Sequence, residues 1–313
     1  KIAPGFNMLD PVVGGLGEDR RKLRQALSIA FDYDEFISIF LNGRGIPAQG
    51  PIPPGLFGYV EGVAGLNPYV YEARDGRIAR RPIEAARRLL AEAGYPNGRS
   101  AKTGEPLVLY FDTMASGPDA KSRLDWMKKQ LDKLNVQLVV RGTDYNRFQD
   151  KIRKGNAQLF EWGWNADYPD PENFFFLLYG PHKKVGSGGE NAANYDSPEF
   201  DRLFEQMKNM DNGPARQQVI DAMLDVVRRD APWIFAYHPK AFGLRHGWVH
   251  NVKPNLMANN TLKYRRVDAA VRKARRAEWN RPVLWPIVLL VAALAAVIAP
   301  AVIAWRRHER KTA

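Results

Sequence analysis

The 313-residue sequence contains no cysteine. That absence excludes a disulfide framework and any thiolate-held metal site, and it leaves the compartment open. Histidine is scarce: His182, His238, His246, His250 and His308 are scattered without metal-ligand spacing, so no zinc site is expected. Neither an initiator methionine nor a basic-then-apolar leader stands at Lys1, so an export signal is expected to have been removed or to lie outside this piece of chain. The glycine cluster at 186–189 lacks the lysine and the spacing of a phosphate cradle. The other Gly-x-Gly pieces do not follow a strand and open a helix, and no internal repeat is evident.

What is present in quantity is positive charge and apolar surface. Lys and Arg number 46 against 34 Asp and Glu, a net charge of +12, and 45% of the residues are hydrophobic. That content is ample for a packed core. Much of the charge is clustered: Arg265, Arg266, Arg272, Lys273, Arg275, Arg276 and Arg281 precede an apolar run, and Arg306, Arg307, Arg310 and Lys311 follow it. With no nucleic-acid motif beside them, these clusters read as flanks of a membrane segment, and no nucleic-acid partner is expected. The run itself, 282–305, carries no charged residue and is long enough to cross a ~30 Å hydrocarbon core as a helix. Trp285 and Trp305 sit near its ends, where indole rings favour the headgroup region. Basic residues on both sides leave its orientation undetermined by charge alone.

Along the chain, residues 1–17 are rich in Pro and Gly and read as a connector of turns and short extended pieces. Leu23, Leu27 and Ala30 share one helical face, and Asp32 with Glu35 forms a capping pattern that opens a second helix, ended by Asn42-Gly43. Residues 45–75 read as a long Gly- and Pro-rich loop. Pro82 begins a helix with Ile83, Ala86, Leu90 and Ala93 on one face. Alternation follows: strand 107–111, helix 119–134, strand 136–140, helix 144–154, strand 157–162. This order predicts a parallel sheet with right-handed crossovers. In such sheets ligands bind beyond the carboxyl ends of the strands, which singles out 163–176. Two amphipathic helices, from Ser197 and around Val219, precede a strand at 233–237.

Several stretches carry a resemblance: Arg24-Gln25-Ala26-Leu27 leading to Asp32, Asn42 to Gly45 followed by Gly50 to Pro53, and 85–96. Others are 163–174 (GWNADYPDPENF), 194–200 (NYDSPEF) and 231–239 (APWIFAYHP). Together, in order, they resemble the family 5 extracellular solute-binding proteins, the peptide, dipeptide and nickel binders of ABC importers, over roughly residues 5–268. The resemblance implies an α/β, periplasmic-binding-protein-like fold of the type II, two-lobe kind. Residues 1–17 would be the hinge, 18–195 the second lobe and 196–268 a return to the first, most of which would be absent here. A basic juxtamembrane linker (269–281), a transmembrane helix (282–305) and a basic tail (306–313) follow. The membrane helix departs from a family usually released or held by an N-terminal lipid.

On this reading the chain is not an enzyme and needs no cofactor. It captures a peptide or peptide-like solute, passes it to ABC permease subunits, and sits on the periplasmic, extracytoplasmic face, anchored in the inner membrane by its C-terminal helix. A membrane-anchored sensor or adaptor is the alternative use of the same lobes, and a carboxylate-dependent hydrolase a further one. Asp167 is the first candidate for ligand contact, because in peptide-binding relatives the matching aspartate pairs with the ligand's amino terminus. Its alternative role is to cap the loop 166–172 through backbone amides. Trp164 is expected to give an apolar wall, Trp162 to pack in the core, and Asn165 and Tyr168 to lie at the rim. Arg44, like Arg141, is a candidate to meet a ligand carboxylate.

Overall fold

The structure is a computed structural model that describes residues 2–115, 117–253 and 260–312. The chain divides into two compact units, Lys1–Phe242 and Gly243–Ala313.

The first unit is built on a five-stranded sheet. Strand β1 (Ile2–Phe6) is followed by helices α1 (Glu18–Ala30) and α2 (Tyr33–Leu41), the short β2 (Gly45–Pro47), a hairpin of β3 (Tyr71–Arg74) and β4 (Arg77–Arg80), and α3 (Ile83–Glu92). Then come β5 (Val108–Thr113), α4 (Pro118–Asp132), β6 (Gln137–Gly142), α5 (Tyr145–Lys154) and β7 (Leu159–Trp162). The short turns α6 (Glu172–Phe175) and α7 (Lys184–Ser187) lead to α8 (Pro198–Met207), α9 (Pro214–Asp230), β8 (Trp233–Phe235) and β9 (Tyr237–Pro239). The sheet order is β6-β5-β7-β1-β8, with β5 parallel to β6 and β7 as the alternation predicts.

Local chemistry sets these boundaries. Asp32 accepts from the Glu35 N–H at 3.0 Å to open α2, and Asn42 closes it in the left-handed region at φ 49. Asp144 caps α5 through the Arg147 N–H, and Gly155 ends it at φ 71. Glu35 does not complete the reciprocal cap: its carboxylate accepts instead from Trp126 and Gln130 of α4.

Strand residues alternate between two cores. Leu159, Ile234 and Ala236 join a cluster with Leu23, Leu27, Leu90 and Trp126, while Phe160, Trp233 and Phe235 join one with Phe148, Phe200, Met207 and Met223. Helices therefore cover both faces, as a sheet carrying apolar side chains on both sides requires.

Two expectations are corrected. Residues 2–6 form a full strand rather than a connector piece, antiparallel to β7 and β8, with an irregular register between Ile2 and Gly5. Residues 45–75 are not one loop, because β2 pairs with β9 and β3 pairs with β4 across Asp75-Gly76, both at positive φ. Helices α8 and α9 close the second face of the sheet, and the compact unit runs past residue 195 to Phe242.

The second unit pairs β10 (Val249–His250) with β11 (Arg266–Val267) and continues into helices α10 (Ala269–Trp279) and α11 (Trp285–Thr312). Helix α11 runs through the segment expected as a tail and is long and apolar enough to cross a membrane. Residues 254–259 of the expected return segment, Lys1 of the connector and Ala313 of the tail lie outside the described residues.

Candidate functional site

Strands β5, β6, β7 and β8 all point the same way, and β1 runs against them. The carboxyl ends at Thr113, Gly142, Trp162 and Phe235 therefore share one edge with the amino end of β1, where Ile2 pairs with both Trp162 and Phe235. The chain enters the sheet and leaves it for β9 at the edge that carries the loop after β7.

That loop is fixed from beneath. Asn173 is buried, and its Oδ1 accepts from the Trp164 indole N–H at 3.0 Å and from the Asp167 backbone N–H at 2.9 Å. One buried oxygen thus pins two points of the loop. Asp170 receives both terminal nitrogens of the buried Arg216, at 2.7 and 2.8 Å, and also accepts the Glu172 N–H at 2.8 Å. Burial alone would raise the Asp170 pKa, but the Arg216 and Glu172 hydrogen bonds outweigh it and hold the carboxyl below its ordinary range.

The expected residues fall as follows. Asp167 is exposed, and among the described residues its carboxylate has no hydrogen-bond or ion-pair partner. Asp170, not Asp167, accepts a backbone amide of this loop. Trp164 is half-buried, edge-on to Phe176 at 5.4 Å. Asn165 and Tyr168 are exposed, and the Tyr168 hydroxyl donates to Glu172, with its own pKa raised by burial and by that carboxylate. Trp162 stacks on Phe148 at 6.5 Å. Arg44 is exposed beside β2, its Nε donating to the Leu41 carbonyl and its own carbonyl accepting from the Lys240 N–H, and among the described residues it makes no hydrogen bond or ion pair to the loop after β7. Arg141 lies over the Tyr110 ring at 3.8 Å.

Three participants escape sequence reasoning. Asn173 and Arg216 hold the loop, and Glu161, at the end of β7, accepts from the Thr113 hydroxyl at 2.9 Å, putting a second carboxylate at the edge. The Asp-Tyr-Pro-Asp-Pro-Glu-Asn run of 167–173 announces polar turns, but nothing in it points 46 residues ahead to Arg216. A two-carboxylate hydrolase set in this loop is not available, because Asp170 is committed to Arg216 and Glu172 to Tyr168.

This architecture is that of the type II periplasmic binding proteins. The oligopeptide-binding protein of Bacillus subtilis in complex with a nonapeptide shares the fold at a TM-score of 0.64 and 17% identity, covering 86% of this chain and 51% of that one. The family model for the bacterial extracellular solute-binding proteins, family 5 Middle, matches residues 6–185, and the chain belongs to that family, one of binding proteins rather than catalysts. Among curated relatives, heme-binding protein A of Haemophilus influenzae is 28% identical over 225 residues, covering 72% of this chain and 37% of its own. Di/tripeptide-binding protein 4 of Pseudomonas aeruginosa is 26% identical over 225 residues, covering 72% of this chain and 38% of its own. The chain thus spans less than half the length of these relatives.

Proposed function

We propose that the whole protein captures a peptide or peptide-like solute outside the cytoplasm and delivers it to ABC permease subunits, with α11 holding it in the inner membrane. Asp167 receives the free amino terminus of the solute, Trp164 gives an apolar wall, and Asn165 and Tyr168 line the rim. The observation that carries this reading is the unpartnered Asp167 carboxylate on a loop whose other anchor groups are all engaged. A carboxylate left free on a rigid support is prepared for an ammonium group, since its ordering cost falls before the ligand arrives. A lobe joined through the amino end of β1 and the segment after β8 would stand over the same edge and enclose the pair, because Ile2 pairs there with Phe235 at the end of β8. Closing two lobes on a solute selects one conformer without making or breaking a bond.

The test is titration of the full-length protein with short peptides, free and N-acetylated. A charge-assisted hydrogen bond contributes about 1.5–3 kcal/mol, so acetylation is expected to weaken binding roughly 10- to 100-fold. Asp167→Asn should erase most of that difference. Equal affinity for the two peptide forms would remove the role of Asp167.

A further inference from the structure

Helix α10 carries four cations in two distinct states. Arg275 is paired with Glu278 at 2.9 Å, one turn along the same helix. Arg272, Lys273 and Arg276 are exposed, and among the described residues none of them meets a carboxylate. The unpaired three lie together: at helical spacing Arg272, Arg276 and Trp279 (i, i+4, i+7) share one face with Lys273 at its margin. Trp279, 58% exposed, projects from the same face.

This face borders an open concavity of about 620 Å³, lined by His246, Trp248, Arg272, Arg276 and Trp279. The His246 ring stacks on Trp248 at 4.1 Å, and Trp279 leans on both at 5.6 and 5.2 Å. An aromatic floor beside unpaired guanidinium groups suits a phosphate whose substituents are greasy. Arg binds phosphate oxygens in forked geometry, while indole rings partition to the headgroup region of a bilayer.

Chain continuity selects which phosphate. Only residues 280–284 separate the end of α10 from the start of α11. Five residues extended reach at most about 18 Å, so a spanning α11 keeps α10 within reach of the headgroups where the span begins. We propose that the Arg272–Lys273–Arg276–Trp279 face of α10 is a docking surface for anionic phospholipid headgroups in the leaflet where α11 enters. The inference rests on α11 crossing the membrane. It also gives a use for the upstream basic cluster, which the orientation rule for cytoplasmic flanks leaves without one.

Ala277→Cys supplies a thiol for a spin label on α10 within a cysteine-free sequence, and the full-length protein without that substitution, labelled identically, gives the background from any thiol elsewhere. The labelled full-length protein is placed in phosphatidylcholine vesicles with and without phosphatidylglycerol, and label immersion is read by relaxation with lipid- and water-soluble quenchers. Each cation near an anionic surface favours contact about fivefold, so three together favour it on the order of a hundredfold. Phosphatidylglycerol should therefore move the label into the interface, and high salt should reverse the shift. The triple variant Arg272→Gln, Lys273→Gln, Arg276→Gln should respond to neither. Label immersion indifferent to lipid charge overturns the proposal, as does an equal response to a DNA duplex added to phosphatidylcholine vesicles. Alkaline extraction tests the span separately: a protein that washes out removes the spanning reading and this inference with it, whereas one retained but blind to lipid charge removes the inference alone.

Discussion

Arg24 is fully enclosed, and it is satisfied by backbone rather than by a carboxylate. Its Nε and Nη2 donate to the Asp230 carbonyl at 2.9 and 2.6 Å, and Nη1 donates to the carbonyls of Val13 and Gly15 at 2.7 and 2.9 Å. One guanidinium therefore ties the connector after β1 to α1 and to the last residue of α9. Burial lowers its pKa to about 10, against the raising effect of Asp230, so it remains charged at neutral pH. The Asp230 carboxylate is equally enclosed and takes the Tyr195 hydroxyl at 2.6 Å, Arg21 at 2.7 Å and Arg229 at 3.1 Å. Replacing Arg24 by Met leaves three buried carbonyls short of donors, at roughly 1–3 kcal/mol for each orphaned group. Urea denaturation of Arg24→Met should show a loss of about 3 kcal/mol or more; a loss under about 1 kcal/mol would show water replacing the guanidinium. Residue chemistry of this kind is poorly legible from sequence. The helical face of Leu23, Leu27 and Ala30 was readable from spacing, and all three are buried. The same periodicity gives no sign that Arg24, between them, is enclosed too, since a charged side chain is ordinarily placed at the surface.

Elements divide in the same manner. Strands β5, β6 and β7 and helices α4 and α5 were visible in the alternation of apolar runs and capping residues, although β5 extends two residues beyond the reading, through Asp112 and Thr113. Those two look like loop residues in sequence, yet both are buried, with Asp112 paired to Lys151 and Thr113 bonded to Glu161. Strand β1 was hidden because Pro4 and Gly5 are turn signals. It is a strand because β7 and β8 pair with it from both sides, and the register irregularity falls where the proline sits. A Cβ at Gly5 would lie 2.8 Å from the Phe160 ring, so a larger residue there would have to displace that ring. The loop after β7 was located correctly as a segment, while its supports were not, since Arg216 reaches it only through the packing of α9. Asn173→Leu keeps the volume but removes the oxygen shared by Trp164 and Asp167. The expected outcome is a lower Tm together with weaker peptide binding, and a smaller penalty for N-acetylation as the loop loosens. Unchanged discrimination between free and acetylated peptide, despite a lowered Tm, would show that the loop holds its shape without Asn173.

At the largest scale, the first unit is organised by direction. Four strands deliver their carboxyl ends to one edge, the fifth begins there, and the chain departs from it into β9. Family order among the motifs was legible because each is a local run, whereas the extent of the first unit was not. Residues 196–268 read in sequence as a return to another lobe, and within them Phe200, Phe204, Met207 and Met223 share a core with Phe148 and Phe160. On the proposed reading, Asp167 would convert the edge into a solute site, because its exposed carboxylate has no hydrogen-bond or ion-pair partner among the described residues. The most direct test is the structure of the full-length protein with a bound peptide bearing a free amino terminus. The ammonium nitrogen should lie about 2.7–3.0 Å from an Asp167 carboxylate oxygen, enclosed between lobes. A bound peptide with its amino terminus elsewhere and Asp167 still open to solvent would contradict the assignment.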